Sequence, residues 1–215
     1  RLCVTESHDD HAMASVIHGG SVGSNKASDI ERELDFDPLT EKDKEAIRVG
    51  LEKGIRHFAL SFTNRREDVD QMRSHCGPDA NIICKIESRS ALHNLESILE
   101  AADEILIDRG DLSRQVPIEK VPFLQRRIIS IARSHRKPVF VATNLLESMV
   151  TKKSPTRAEV NDVVSTLLMG ADGLVLAAET AIGDFPVEAV RMIDTLIEES
   201  EMWTSNTSLS EIIAN

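Results

Sequence analysis

The stretch Asn81-Ile82-Ile83-Cys84-Lys85-Ile86-Glu87 decides how the rest of the chain is read. It is an apolar run that ends abruptly in an ammonium and a carboxylate. Four similar runs accompany it: His57 to Phe62, Glu104 to Ile107, Pro138 to Ala142 and Gly173 to Ala177. In chain order the five runs are followed by helical stretches at Arg66–Arg73, Ala91–Ala101, Val121–Ser134, Arg157–Met169 and Pro186–Glu201. Short strands alternating with helices mean βα units and a parallel sheet, because parallel neighbours need a crossover between them. Nearly continuous apolar runs suit strands covered on both faces. No glycine-rich dinucleotide fingerprint or phosphate loop follows any strand, which lowers a doubly wound nucleotide fold and leaves a (β/α) barrel ahead.

Upstream of the first run, Thr40 precedes Glu41, Lys42 and Asp43, an N-cap with carboxylates in the first turn. A helix is expected from there to about Lys53, stopped by Gly54. From Arg1 to Ile30 the text reads as a β-ribbon. Leu2-Cys3-Val4-Thr5 and Ala14-Ser15-Val16-Ile17 are divided by polar Ser7-His8-Asp9-Asp10-His11, and Gly19-Gly20 and Gly23 end it. His8 and His11 have no matching Cys or carboxylate spacing, so a solvated turn outranks a metal site there.

Composition excludes several function classes. The 215 residues carry 36 acidic and 25 basic side chains, a formal charge of −11, which disfavours nucleic acid as a partner. Six Phe, one Trp and no Tyr leave little for a base-stacking surface. Cys3, Cys76 and Cys84 are odd in number and lack CxxC spacing, against a disulfide framework or structural zinc and in favour of a cytoplasmic setting. No apolar run approaches the ~18 residues of a membrane span, so no membrane association is expected. The chain opens at Arg1 and is shorter than the roughly 250 residues of a full α/β barrel, so it reads as a piece of a longer chain.

In a barrel the chemistry sits where strands end. Period-two alternation sends Lys85 and Glu87 to one face, with Cys84 and Ile86 on the other. The remaining strand ends are Ser61-Phe62-Thr63-Asn64, Asp108-Arg109-Gly110-Asp111-Leu112, Thr143-Asn144-Leu145-Leu146-Glu147 and Glu179-Thr180. A polar loop is the ordinary reading of any one of them. Together they suggest more. Glu87 and Asp111 suit Mg²⁺ or Mn²⁺, which take oxygen ligands and leave positions for substrate oxygens. Gly110 permits close backbone approach, and the amides beside it can hold a substrate carboxylate. Lys85 would neutralise a phosphoryl group or an enolate oxygen, and the Thr143 hydroxyl could pass a proton.

The strings Lys85-Ile86-Glu87, Arg109-Gly110-Asp111-Leu112, Ala142-Thr143-Asn144-Leu145-Leu146-Glu147-Ser148-Met149, Pro155-Thr156-Arg157-Ala158-Glu159 and Glu179-Thr180-Ala181 closely resemble the pyruvate kinase family, in order and spacing. The resemblance runs from about Leu2 to about Ile197 and takes in Gly23-Ser24-Asn25-Lys26, which resembles the exit of that family's inserted β domain. It implies a (β/α)₈ barrel of which this chain holds about five βα units, strands 4 to 8. The expected organisation is the end of the small β domain and a connector over 1–35, a partial barrel over 36–200 and a tail over 201–215. It also implies phosphoryl transfer from phosphoenolpyruvate to ADP, giving pyruvate and ATP in glycolysis, with Mg²⁺ and commonly K⁺, in a homo-oligomer. By that resemblance Lys85 faces the transferring phosphoryl, Glu87 and Asp111 bind the metal, and Arg109, Gly110 and Asp111 border the substrate. Thr143 lies at the enolate carbon, Ser61 beside the substrate, and Lys26 on the nucleotide side.

The sequence departs from the family pattern at Asp108, where a small residue is usual, at Ser113 and Gln115, and at Ala177-Ala178. An added carboxylate at 108 would repel an anionic substrate unless it points away. The isolated 215 residues are expected to be inactive as a kinase, with an open sheet edge. Two other readings use the same residues: a Mg²⁺-dependent 2-oxoacid aldolase or lyase, and a non-catalytic pyruvate kinase-like domain.

Overall fold

A computed structural model describes residues 2–21, 36–204 and 206–214, which fall in two units, 1–34 and 35–215. The first unit holds an antiparallel ribbon, β1 (Leu2–Ser7) and β2 (Ala12–Val16), with a register shift between Val4 and Glu6. Every residue of both strands is exposed. The His8 and His11 rings stack with centroids 4.6 Å apart at the exposed turn. Gly23 and Lys26 lie outside the described residues.

The second unit is built on a five-stranded parallel sheet with helices between its strands. Helix α1 (Glu41–Glu52) starts on a reciprocal cap: Asp43 N–H donates to Thr40 Oγ1 at 3.2 Å, and Thr40 N–H donates to Asp43 Oδ2 at 2.9 Å. The sheet and helices then follow in order: β3 (His57–Leu60), α2 (Arg66–Cys76), β4 (Asn81–Ile86), α3 (Arg89–His93), α4 (Leu95–Ala101), β5 (Glu104–Asp108), α5 (Arg109–Gln115), α6 (Val121–Ser134), β6 (Val139–Ala142), α7 (Arg157–Leu168), β7 (Gly173–Val175), α8 (Ala178–Ala181), α9 (Pro186–Met202) and α10 (Leu209–Ala214). The strands lie side by side as β3-β4-β5-β6-β7, the arrangement of part of a (β/α)₈ barrel.

All five expected strands are present; the fourth starts one residue later than expected, at Val139, and three others differ at an end for local reasons. The first stops at Leu60 because Phe62 turns to φ +50° and its amide leaves the ladder for Glu87. The third runs one residue further than expected, to Asp108, which pairs in register with Ala142. The fifth stops at Val175, because the Ala177 amide donates to Glu179 Oε2 at 2.9 Å. The single helix expected over 91–101 is two. Asn94 sits at φ −102°, ψ 14°, and its side-chain amide donates to the Asn64 carbonyl at 2.9 Å.

Alternation along the strands sets the two faces of the sheet. Ile82, Cys84, Ile86, Ile105 and Ile107 are fully buried against the helices, while Ile83, Lys85 and Leu106 on the other face are only part-buried. The main core takes in those residues with Val69, Met72, Ile98, Leu99, Ile128 and Ile129. A second cluster joins Leu145, Leu146 and Met149 to Val163 of α7 and Ala189, Ile193 and Leu196 of α9. Burying an aliphatic side chain of this size stabilises by about 1.5–3 kcal/mol, so these two clusters hold the strand ends in place.

Candidate active site

The C-terminal ends of β4, β5 and β6 bring one charged cluster together. Lys85 is the penultimate residue of β4, and Glu87 follows the strand on the same face. Lys85 Nζ lies 2.7 Å from Glu87 Oε1 and 3.2 Å from Asp108 Oδ2. Glu87 is fully buried; its Oε2 accepts the Phe62 amide at 2.6 Å, and its Oε1 is left to the Lys85 ammonium. Asp111, in the first turn of α5, completes a set of three carboxylates, Glu87, Asp108 and Asp111, whose oxygens can lie within 4.8 Å of one another. The Asp111 carboxylate also meets the Arg114 guanidinium at 3.1 Å.

Thr143 closes the site from β6. Its φ is +70°, and Asn144 follows at +54°, a backbone region unfavourable for a β-branched residue. Its hydroxyl donates to the Ala142 carbonyl at 2.6 Å and accepts the Gly110 amide at 2.7 Å. The Asp111 amide donates to Asp108 Oδ1 at 3.4 Å. A Cβ at Gly110 would lie 3.4 Å from both Asp108 Oδ1 and Thr143 Oγ1, in ordinary van der Waals contact with them.

Residues 1–190 match the family model described as pyruvate kinase, barrel domain. A pyruvate kinase of Agrobacterium vitis is 42% identical over 202 residues, covering 94% of this chain and 42% of the relative. One from Thermotoga maritima is 38% identical over 205 residues, with 93% and 44% covered, and one from Mycobacterium tuberculosis is 38% identical over 200, with 91% and 42%. The chain belongs to the pyruvate kinase family. It spans about two fifths of the length of these curated relatives.

Against the pyruvate kinase pattern, Lys85, Glu87, Gly110, Asp111 and Thr143 come together, and Asp108 joins them. Asp108 does not point away from the cluster. Register explains this: Lys85 pairs with Leu106, so Leu106 and Asp108 share its face of the sheet. The signal was present in the sequence, because Ile105 and Ile107 alternate with Glu104, Leu106 and Asp108.

Two residues expected near the substrate keep their side chains outside this cluster. Arg109 is turned into the protein, where Nε and Nη2 donate to the Thr143 carbonyl at 3.1 and 2.6 Å and Nη1 donates to Asp162 at 2.6 Å. It braces Thr143. Ser61 is exposed at the end of β3, one residue before the Phe62 amide that binds Glu87. Lys26 lies outside the described residues.

Charge in the cluster is uneven. Burial opposes the Lys85 ammonium, but Glu87 and Asp108 outweigh it and hold its pKa above the ordinary lysine value. Burial pushes the Glu87 carboxyl above the usual carboxylate range, with Lys85 and the Phe62 amide pulling the other way and Asp108 adding to the rise. Three carboxylates whose oxygens come within 4.8 Å of one another, Glu87 among them fully buried, are a donor set suited to a hard divalent cation.

Two other carboxylates, buried Glu179 and part-buried Glu159, have structural work. Glu179 clasps two loops, accepting the Leu146 and Ala177 amides at 3.0 and 2.9 Å. Glu159 accepts from the amide and hydroxyl of both Ser148 and Thr156, at 2.6–2.8 Å. A shallow cleft lined by Asn81, Asp103, Glu104 and Pro138 lies at the opposite end of the strands, away from the cluster.

Proposed function

We propose that this chain carries the metal- and phosphoryl-handling side of a pyruvate kinase, which transfers phosphoryl from phosphoenolpyruvate to ADP to give pyruvate and ATP. The observation that carries the reading is the Lys85 ammonium held between the fully buried Glu87 and Asp108 at adjacent strand ends, in a member of this family. Lys85, kept cationic by its two carboxylates, meets the anionic phosphoryl group and neutralises charge as the bond to the enol oxygen breaks. Glu87 and Asp111 would hold Mg²⁺ or Mn²⁺; when bound, the ion supplies Lewis-acid stabilisation of the developing oxyanion. Thr143 holds its hydroxyl proton beside the place where the enol carbon is protonated, and Arg109 fixes the backbone that carries it. Ser61, at the mouth of β3, borders the substrate and a K⁺ region, and Lys26 serves the nucleotide.

Residues 1–35 form the end of a small β domain with its connector, 36–200 the partial barrel and 201–215 a tail. The protein works in the cytoplasm as a homo-oligomer and binds neither nucleic acid nor membrane. Cys3, Cys76 and Cys84 are all free thiols, which supports a reducing setting.

A coupled assay of ATP formation from phosphoenolpyruvate and ADP, run on the full-length protein with Mg²⁺ and K⁺, tests the reading. Activity in the wild type and its loss in Lys85→Met are expected. No ATP, together with Mg²⁺-dependent exchange of the methyl protons of pyruvate, would replace it with a 2-oxoacid lyase reading.

A further inference from the structure

Asp108 enters the phosphotransfer reading only as a counter-ion of Lys85. It is buried, 8% exposed, at the last position of β5. Its Oδ2 lies 3.2 Å from Lys85 Nζ, and its Oδ1 lies 3.4 Å from both the Asp111 nitrogen and Thr143 Oγ1. Among the described residues the cations paired with the three carboxylates are Lys85 and Arg114, and the Arg114 side chain is half exposed. Three carboxylates this close repel one another unless positive charge sits among them. Glu87 Oε1 is fully buried and has the Lys85 ammonium at 2.7 Å, the same cation that Asp108 Oδ2 meets, so one ammonium is shared by two of the three carboxylates.

We propose that Asp108 is a third protein ligand, so that this site holds its divalent ion in the free protein, before any organic anion arrives. The proposal rests on the reading of Glu87 and Asp111 as metal ligands. Mg²⁺ held by one or two carboxylates keeps several waters and relies on substrate oxygens for the rest of its shell. A third carboxylate raises affinity through ligand charge, and it takes a position that a chelating substrate would otherwise fill. It also changes the charge that an incoming anion meets. Two carboxylates, Lys85 and a divalent ion carry a net +1, whereas three carry zero. Asp108 therefore makes metal binding less dependent on substrate and weakens the site's grip on a dianionic chelator. It acts as a specificity-determining residue.

The test is a titration of the protein with Mn²⁺ alone, followed by electron paramagnetic resonance, for the wild type, Asp108→Ala and Asp108→Asn, then repeated with oxalate. The wild type is expected to bind Mn²⁺ without oxalate. Asp108→Ala should bind it roughly tenfold or more weakly, as when a charged oxygen ligand is lost, and should gain more from oxalate than the wild type does. Asp108→Asn keeps the shape and a neutral carbonyl oxygen, so it decides the matter if the alanine variant does not fold; an intermediate loss is expected. Equal Mn²⁺ affinity in the wild type and the folded variants would overturn the proposal and leave the Glu87–Asp111 reading standing. No Mn²⁺ binding by the wild type, with or without oxalate, would overturn both. Mn²⁺ binding that depends on Asp108 in a protein that forms no ATP would sustain the proposal and sink only the kinase reading.

Discussion

Replacing Arg109 with methionine removes a brace from a strained backbone, and the structure sets the size of the effect. The guanidinium donates twice to the Thr143 carbonyl, at 2.6 and 3.1 Å, and once to Asp162 at 2.6 Å, with only 11% of its side chain exposed. Hydrogen bonds from a charged donor contribute about 1.5–3 kcal/mol net each. Because two of these share one acceptor, the Thr143 clamp is taken as one strong contact of about 2–3 kcal/mol. The Asp162 carboxylate is 41% exposed and rehydrates when its partner goes, so that arm adds roughly 1 kcal/mol or less. Arg109→Met should therefore cost about 3 kcal/mol, or roughly 6–12 °C in Tm for a chain of this size. Arg109→Lys should recover less than half, since an ammonium cannot fork onto the carbonyl and Asp162 together. Denaturant unfolding of both variants and of Asp162→Asn provides the measurement. If Arg109→Met costs no more than Asp162→Asn, the clamp on Thr143 contributes nothing and the bracing role is wrong.

Three further outcomes are expected. Glu159 is part-buried, which would raise its carboxyl, but the Ser148 hydroxyl and amide and then Thr156 outweigh burial and hold it below the usual range. A carboxyl lowered on folding adds stability above the unfolded value of ~4.3 and loses it as pH falls through the folded value. Glu159→Gln should thus be destabilised by roughly 1–3 kcal/mol at pH 7, with the deficit vanishing in acid; a deficit that persists at low pH would count against this origin. Mg²⁺ or Mn²⁺ at 100 times its Kd should stabilise the protein by about 2.7 kcal/mol, and Glu87→Gln should abolish that thermal shift; an undiminished shift would place the ion elsewhere. In thiol labelling of the folded protein, exposed Cys3 should react and Cys84, buried with its thiol pushed up to about 12 by desolvation, should not; prompt modification of Cys84 would mean β4 opens readily.

What was legible in the sequence was mostly local. Strand positions followed from apolar runs, and the direction of Lys85 and Glu87 followed from the pleat alone. The same pleat, applied to Ile105 and Ile107, would have aimed Asp108 into the cluster. Thr156 and Glu159 are spaced as a capping box, yet the second pair of donors on Ser148 comes from a different loop, 11 residues away. The neighbours of Arg109 in sequence point it toward substrate, whereas its ion-pair partner Asp162 is 53 residues distant and no periodicity joins them. The break at Asn94 likewise depends on a carbonyl 30 residues upstream.

The spatial order of the parallel strands, β3-β4-β5-β6-β7, repeats their order along the chain. During synthesis from the N-terminus, each new strand finds its ladder partner already made, one βα unit earlier, and need not wait for a distant segment. Lys85 and Glu87 at the end of β4 and Asp108 at the end of β5 are neighbours in this sense as well. Their cluster forms as soon as the third strand of the sheet docks, while the Thr143 corner and the α7–α9 cluster await the remainder of the chain.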